Sequence, residues 1–482
     1  MFDLRPVGYV VGWLVLALGA MMSFPLAIDI ADGNGEWHVF LRSMLLTVMI
    51  GAALALACAN APRARLSRQQ TFLLTSGVWL ALPVFGALPF IFGATEADVT
   101  DAFFEAMSGL TTTGATVFSG LDGLPRGLLL WRGMLQWFGG VGIIVVAMVF
   151  LPELRIGGMQ IFRTEGFDTF GKILPRATQI AQQISAIYIG LTAICAMAYG
   201  IAGMGAFDAT VHAMTTIATG GFANYDASFG AFGPAVEYVA SVFMVLAALP
   251  FVRYIQLVAG SAQPLWRDSQ VQAFFVTLGI FVLAIAAWRM AEIGTVSEQA
   301  FRQSLFNTAS LLTGTGYAST DYWQWGGFGV VALFLAGLVG GCAGSTSCSI
   351  KVFRYQLLLA SINAQVRRIH SPRGVATPRY GGRPVSDDVL NSVMTFFVVF
   401  FTTLGVLAVL LALTGLDLTT AVSGAVAALG NIGPGLGAEI GPSGNYAGLN
   451  DSAKWLLAAA MLVGRLELMV VFVLFTAEFW RG

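Results

Sequence analysis

Charged side chains are scarce in this chain: 11% of 482 residues, beside a hydrophobic content of 57%. Soluble domains carry about 25% charged residues. So long a chain with so few charges cannot cover the surface of a water-soluble globule. Cysteine is nearly missing as well. Cys58, Cys195, Cys342 and Cys348 are four in 482, which excludes a disulfide-stapled secreted scaffold. With three histidines and four scattered cysteines, a catalytic metal centre is not expected. There is no Walker A motif and no dinucleotide fingerprint in a soluble βαβ unit. An intramembrane enzyme would need acids, histidines or a nucleophile pair inside apolar runs, and only Glu467 qualifies. No enzyme activity, organic cofactor or nucleic-acid partner is expected.

What is present is apolar length. An α-helix needs about 20 mostly apolar residues to cross a bilayer. Ten such runs occur, at roughly 8–29, 39–60, 71–94, 127–151, 181–204, 235–260, 272–292, 327–350, 389–414 and 453–479. The expected fold class is an all-α polytopic membrane protein. The first run is too long for a signal peptide and is followed by acidic residues, not by a small-residue cleavage site. Basic clusters follow the second run (Arg63, Arg65, Arg68), the fourth (Arg155, Arg163, Lys172, Arg176) and the eighth (Lys351, Arg354, Arg367, Arg368, Arg373, Arg379, Arg383). Lys and Arg are retained on the cytoplasmic side, so both termini are expected there. Most of the acids then fall outside, where they attract cations.

Between spans three and four, five and six, seven and eight, and nine and ten lie four segments on the outer side. Each begins with a short amphipathic run and reaches a glycine turn: Thr111-Thr112-Thr113-Gly114, Ala218-Thr219-Gly220-Gly221, Thr313-Gly314-Thr315-Gly316 and Asn431-Ile432-Gly433. Aligned from their short helices, the four segments place Gly114, Gly221, Gly316 and Gly433 at one position. The unit is span, short helix, turn, span, repeated four times, and the arrangement expected of it is pseudo-four-fold, with the short helices as pore helices around one pore. The division expected is an N-terminal hairpin at 1–66 and pore repeats at 67–178, 179–268, 269–386 and 387–482. The third repeat has a broken second helix and a basic cytoplasmic segment.

Non-helical backbone at membrane depth survives only where protein buries it or water meets it. Glycine reaches angles that point successive carbonyls one way. Four such turns would form rings of oxygens that replace a cation's hydration shell. Helices running inward would also place their negative dipole ends beside the ion. The plain alternative for any one turn is packing.

These motifs resemble those of the TrkH branch of the Trk/Ktr/HKT superfamily of potassium transporters, over nearly the whole chain. The resemblance implies potassium uptake, with filter glycines at Gly114, Gly221, Gly316 and Gly433. Carbonyl ligands would come from these and from Thr112, Thr113, Thr219, Gly220, Gly314, Thr315, Asn431 and Ile432. A serine in place of a filter glycine would weaken selectivity.

Span eight is interrupted by Gly340, Gly341, Gly344, Ser345, Thr346 and Ser347, with Cys342 and Cys348 among them. Clustered Gly and Ser permit unwinding; close helix packing is the alternative. The resemblance implies a gating loop here. Arg465 is a charge deep in span ten, a functional residue by default. It either snorkels or faces the ion path, and the resemblance implies the latter. Its i,i+2 spacing disfavours pairing with Glu467 on one helix. Arg132 and Arg289 lie near span ends and read as interfacial; Trp131, Trp137 and Trp480 read as interface anchors. His212 reads as a hydrogen-bonded structural residue. The resemblance further implies a homodimer in the bacterial inner membrane and a cytoplasmic TrkA-type nucleotide-binding regulatory protein. Segments 351–387 and 153–180 are the expected docking regions, or else sites for anionic membrane lipid. The rival class is a coupled secondary transporter with alternating access, for which inverted repeats would be expected.

Overall fold

The structure is a computed structural model that describes residues 3–61, 66–146, 157–159 and 177–481. The basic residues Arg63, Arg65, Arg155, Arg163, Lys172 and Arg176, and most of segment 153–180, lie outside the described residues.

The described chain is helical, with a single two-stranded hairpin at Arg379–Tyr380 and Arg383–Pro384. Among the described residues eight helices are long and apolar enough to cross a membrane: Arg5–Asp32, Trp37–Ala57, Arg68–Phe92, Arg126–Val145, Gln179–Ile201, Ser269–Ile293, Tyr322–Val339 and Asp387–Leu413. A ninth span is the bent pair Pro234–Ala247 and Phe251–Val258. The tenth apolar run is continuously helical over Asp451–Arg465 and then falls into short helices.

Three expected spans are therefore broken. The sixth turns by 93° at Leu249-Pro250, where proline offers no N–H to continue the ladder. The eighth stops at Val339 and resumes as Val352–His370. The tenth stops at Arg465 and resumes as Met469–Val473; Glu467 and Leu468 take φ of 62° and 53°. Each break falls in the second span of a repeat.

The N-terminal hairpin explains some of the glycine. Its two helices touch where Gly12 meets Gly51 and Ala55. A Cβ on Gly12 would sit 2.6 Å from the Ala55 nitrogen, so only a glycine permits that backbone approach. The hairpin is tied to repeat one by the Gly127 N–H, which donates to Asp29 Oδ1 over 2.9 Å.

The four short helices are Val99–Leu110, Ala206–Ile217, Glu298–Thr313 and Leu418–Gly430, here called pore helices one to four. Asp98, Ser297 and Asp417 cap the first, third and fourth by accepting from backbone N–H groups. Burial surrounds their C-terminal halves. Tyr317 of repeat three reaches the Thr215 hydroxyl of pore helix two over 2.5 Å. His212 in pore helix two is buried, with Nδ1 2.9 Å from the Asp208 carbonyl, as expected of a structural residue. Trp131 and Arg132, expected at the interface, are instead wholly inside the protein. The Trp131 indole donates to the Gly86 carbonyl over 2.9 Å. Arg289 is half-buried and stacks 4.0 Å from the Trp325 ring.

Candidate functional site: four hinges and the loop beneath them

Each pore helix ends in a left-handed turn. Thr112 and Gly114 have φ of 52° and 87°, Thr219 and Gly221 49° and 83°, Gly314 and Gly316 78° and 86°. Alternation of left- and right-handed residues turns successive carbonyls to one side of the strand. The fourth turn keeps the first element alone: Asn431 has φ of 50°, and Gly433 is followed by Pro434.

The four turns meet head to tail. A Cβ on Gly114 would fall on the Gly220 carbonyl, and one on Gly221 would fall on the Thr315 carbonyl. One on Gly316 would sit 2.7 Å from the Gly433 nitrogen. One on Gly433 would return to Gly114, 2.9 Å from its carbonyl oxygen. Sequence order is thus ring order, and the ring closes. All four glycines line one vestibule of about 210 Å³. The loops beyond are stitched in the same order. Asp226 accepts from the Gly120 and Leu121 N–H groups, Phe229 N–H donates to Ala318, and Tyr446 N–H donates to Thr116.

The expected ligand residues are all at this ring. Among the described residues, the Gly220 carbonyl accepts from Gln136 over 2.5 Å and the Gly433 carbonyl from the Tyr446 hydroxyl over 2.9 Å. The carbonyls of Thr112, Thr113, Gly114, Thr219, Gly221, Gly314, Thr315, Gly316, Asn431 and Ile432 accept no hydrogen bond there. Gly114, Gly221 and Gly316 are part-buried at the vestibule, so oxygens on this ring that no protein donor occupies are open to water or to a cation. The Thr112, Thr113, Thr219, Thr315, Asn431 and Ile432 side chains are buried and brace the strands. Asn431 Nδ2, for example, donates to Thr113 Oγ1 over 3.0 Å.

Residues 340–351 unwind directly beneath. Gly340 and Gly344 have φ of 78° and 75°. Gly341 N–H donates to Ser347 Oγ over 2.9 Å, and that hydroxyl donates to the Thr313 carbonyl at the end of pore helix three, over 2.6 Å. The flank of the loop sits in the break of span six: Cys342 N–H donates to Ala248, Thr346 Oγ1 to Ala247, and Phe251 N–H to Gly344. Ser345 Oγ closes the turn on the Cys342 carbonyl over 2.7 Å. The loop is built as an unwound segment, not as tight helix packing. All four cysteines are free.

Arg465 points into the same space. Its Nη1 lies 2.5 Å from Cys348 Sγ and 3.4 Å from the Thr346 carbonyl, and its Nη2 is 3.4 Å from the Gly139 carbonyl. It does not snorkel, and among the described residues no carboxylate pairs with it. Glu467 serves Lys351 Nζ at 2.8 Å and the Arg354 guanidinium instead. Sequence reasoning missed Gln136, Tyr446, the contact of Cys348 with Arg465 and this Lys351–Glu467–Arg354 cluster as parts of the site. Only the acid two residues after Arg465 marked the cluster in one dimension.

Known proteins share this architecture throughout. A family model described as TrkH, cation transport protein, matches residues 37–481. The Trk system potassium uptake protein TrkI of Halomonas elongata is 45% identical over 97% of this chain and 95% of its own. The Trk system potassium uptake protein TrkH of Salmonella typhimurium is 37% identical over 99% of both chains. The crystal structure of the potassium transporter TrkH from Vibrio parahaemolyticus superposes with a TM-score of 0.91 at 34% identity, covering 100% of each chain. An ordered ring of four hinges, a loop beneath it and full-length similarity in sequence and in fold agree: this chain belongs to the TrkH family of cation transport proteins.

Proposed function

We propose that this chain is a potassium uptake protein of the bacterial inner membrane, with both termini cytoplasmic. The ring at Gly114, Gly221, Gly316 and Gly433 is its selectivity filter. The observation that carries this reading is the closed ring, on which ten carbonyls accept from no protein donor among the described residues. Taking a bare cation into low dielectric costs tens of kcal/mol by a Born estimate, so the oxygens must replace water nearly completely. Two of the candidate carbonyls, at Gly220 and Gly433, are also held from behind by protein donors. The four strands differ, and four-fold coordination is not required at every level.

The loop at 340–349 and Arg465 form the gate. A cation passing about 4 Å from an unpaired guanidinium meets about 4 kcal/mol of repulsion at an effective dielectric of 20. The membrane potential supplies about 2.3 kcal/mol per charge per 100 mV. Passage therefore requires Arg465 and the loop to move. That movement is the task of a cytoplasmic nucleotide-binding partner of the TrkA type, acting on a homodimer. The basic helix Val352–His370 and the hairpin after it offer the docking face, with 153–180 as the second region.

Rubidium and sodium flux into liposomes of the purified chain tests this. Potential-driven rubidium flux, blocked by potassium and weakly by sodium, is expected. Saturable uptake that needs a sodium or proton gradient would replace this reading with a coupled transporter.

A further inference from the structure

Span four presents two buried polar side chains to the back of the ring. Arg132 is 1% exposed. Its Nε donates to Glu105 Oε1 of pore helix one over 2.8 Å and its Nη2 to Thr116 Oγ1 over 3.2 Å. Its Nη1 crosses into repeat two and donates to the Ala223 carbonyl over 2.8 Å. The guanidinium also lies 4.2 Å from the Phe222 ring centroid. Glu105 is occupied on both oxygens, by Arg132, the Thr116 hydroxyl and the Val117 N–H.

Gln136 stands one turn further along, on the same helix face. Its Nε2 donates to the Gly220 carbonyl over 2.5 Å and its Oε1 accepts from the Phe222 N–H over 3.1 Å. A Cβ on Gly220 would fall on the Gln136 amide. The second strand is therefore held at 220, 222 and 223 by one face of one helix, and the first at Thr116. The first strand is held at Thr116 and Val117 by Glu105 of its own pore helix as well, whereas these contacts to the second strand come from span four. The Gly220 oxygen is also the atom against which Gly114 is packed. Its orientation sets the spacing between the first two strands of the ring.

We propose that Gln136 and Arg132 are the positioning residues that set the ion preference of the filter. The proposal rests on the ring being a filter. Discrimination between potassium and sodium depends on how many carbonyls face the ion, on their field strength and on how far they can collapse around a smaller cation. Gln136 restrains one such carbonyl from behind and draws on its electron density. Arg132, neutralised by Glu105, ties the outer ends of strands one and two at a fixed distance. Loosening either lets the ring close on sodium.

The test uses the full chain in liposomes, with rubidium and sodium flux measured alongside thermal unfolding in detergent. Gln136→Met keeps the volume and removes both hydrogen bonds. It is expected to lower rubidium-over-sodium selectivity about tenfold, the effect of roughly two lost hydrogen bonds. Gln136→Glu keeps the acceptor for Phe222 and loses the donor for Gly220, and falls in between. Arg132→Gln alone leaves Glu105 buried and unpaired, a fold-breaking change. The double variant Glu105→Gln, Arg132→Gln removes both charges and carries that arm, with lowered selectivity expected in a folded protein. Unchanged selectivity in Gln136→Met and in the double variant, with only a lower unfolding temperature, would assign these residues a merely structural role and overturn the proposal. Gly221→Ser is run in parallel. A shift there with none in the Gln136 and Arg132 variants rejects the positioning role and keeps the filter. No shift in any variant rejects the filter itself.

Discussion

The Ser347 hydroxyl donates to the Thr313 carbonyl over 2.6 Å, joining the unwound segment of span eight to the last turn of pore helix three. The same oxygen accepts from the Gly341 N–H over 2.9 Å. One hydroxyl thus ties the unwound loop to the foot of the third hinge and shapes the loop itself. A hydrogen bond of this kind contributes about 1 kcal/mol net, a factor of roughly five in an equilibrium. Ser347→Ala is expected to raise partner-free rubidium flux about fivefold in liposomes, and Ser347→Thr to raise it less. Equal flux in all three proteins would mean that the loop is held elsewhere.

Arg465 has no carboxylate among the described residues, only Cys348 Sγ and the Thr346 and Gly139 carbonyls. Its charge is therefore felt in the space below the ring. Arg465→Met removes about 4 kcal/mol of repulsion at an effective dielectric of 20. Rubidium flux without any partner should rise at least tenfold, while Arg465→Lys stays near the parent. Flux at the parent level in Arg465→Met would remove the arginine from the gate.

Glu467 is the anion for two buried cations, Lys351 and Arg354. Four non-glycine residues beside this junction have positive φ: Ser349, Lys351, Glu467 and Leu468. Such backbone costs of order 1–3 kcal/mol per residue and persists only where its surroundings enforce it. Glu467→Gln leaves two cations without an anion, at a cost of about 3–5 kcal/mol. A markedly lower unfolding temperature in detergent is expected, with Glu467→Asp in between. An unfolding temperature equal to the parent's would show that the cluster does not hold the break in span ten.

Gly221 carries a φ of 83°, and a Cβ there would strike the Thr315 carbonyl. Gly221→Ser is expected to reduce rubidium-over-sodium selectivity about tenfold or more, since strain and displacement both act on a ring oxygen. Gly123 lies in the loop after the first hinge, and a Cβ there meets nothing within 4 Å. Gly123→Ser is the matched control and should leave the ratio unchanged. Equal ratios in the two variants would argue against a filter at this ring.

The four hinges were legible because glycine and threonine recur at one offset behind four short amphipathic helices, and no soluble context competes for the pattern. The break in span eight was legible for a similar reason, as a run of small residues in an apolar segment. The break in span six left a visible mark, Pro250, inside a run that otherwise read as continuous. The break in span ten left almost none. Arg465, Leu466 and Glu467 are ordinary helix formers, and the helix ends there because Lys351 and Arg354 from another repeat claim Glu467.

Arg132 and Trp131 mark the limit most sharply. Their distance from a span end reads as an interfacial depth, yet both are buried. Apolar run length and charge bias by themselves determined that the chain is a polytopic membrane protein, and the recurring glycine offset marked its four turns. Run length and charge bias depend only on transfer from water to lipid, residue by residue, and the glycine offset only on local chain order. Only the tertiary structure decided that the turns close into a ring in sequence order, that Gln136 and Arg132 stand behind two of them, and that Glu467 serves Lys351 and Arg354 and not Arg465. Each of those facts is a pairing between repeats, set by which helix faces meet, and helix faces meet only when the whole bundle has packed.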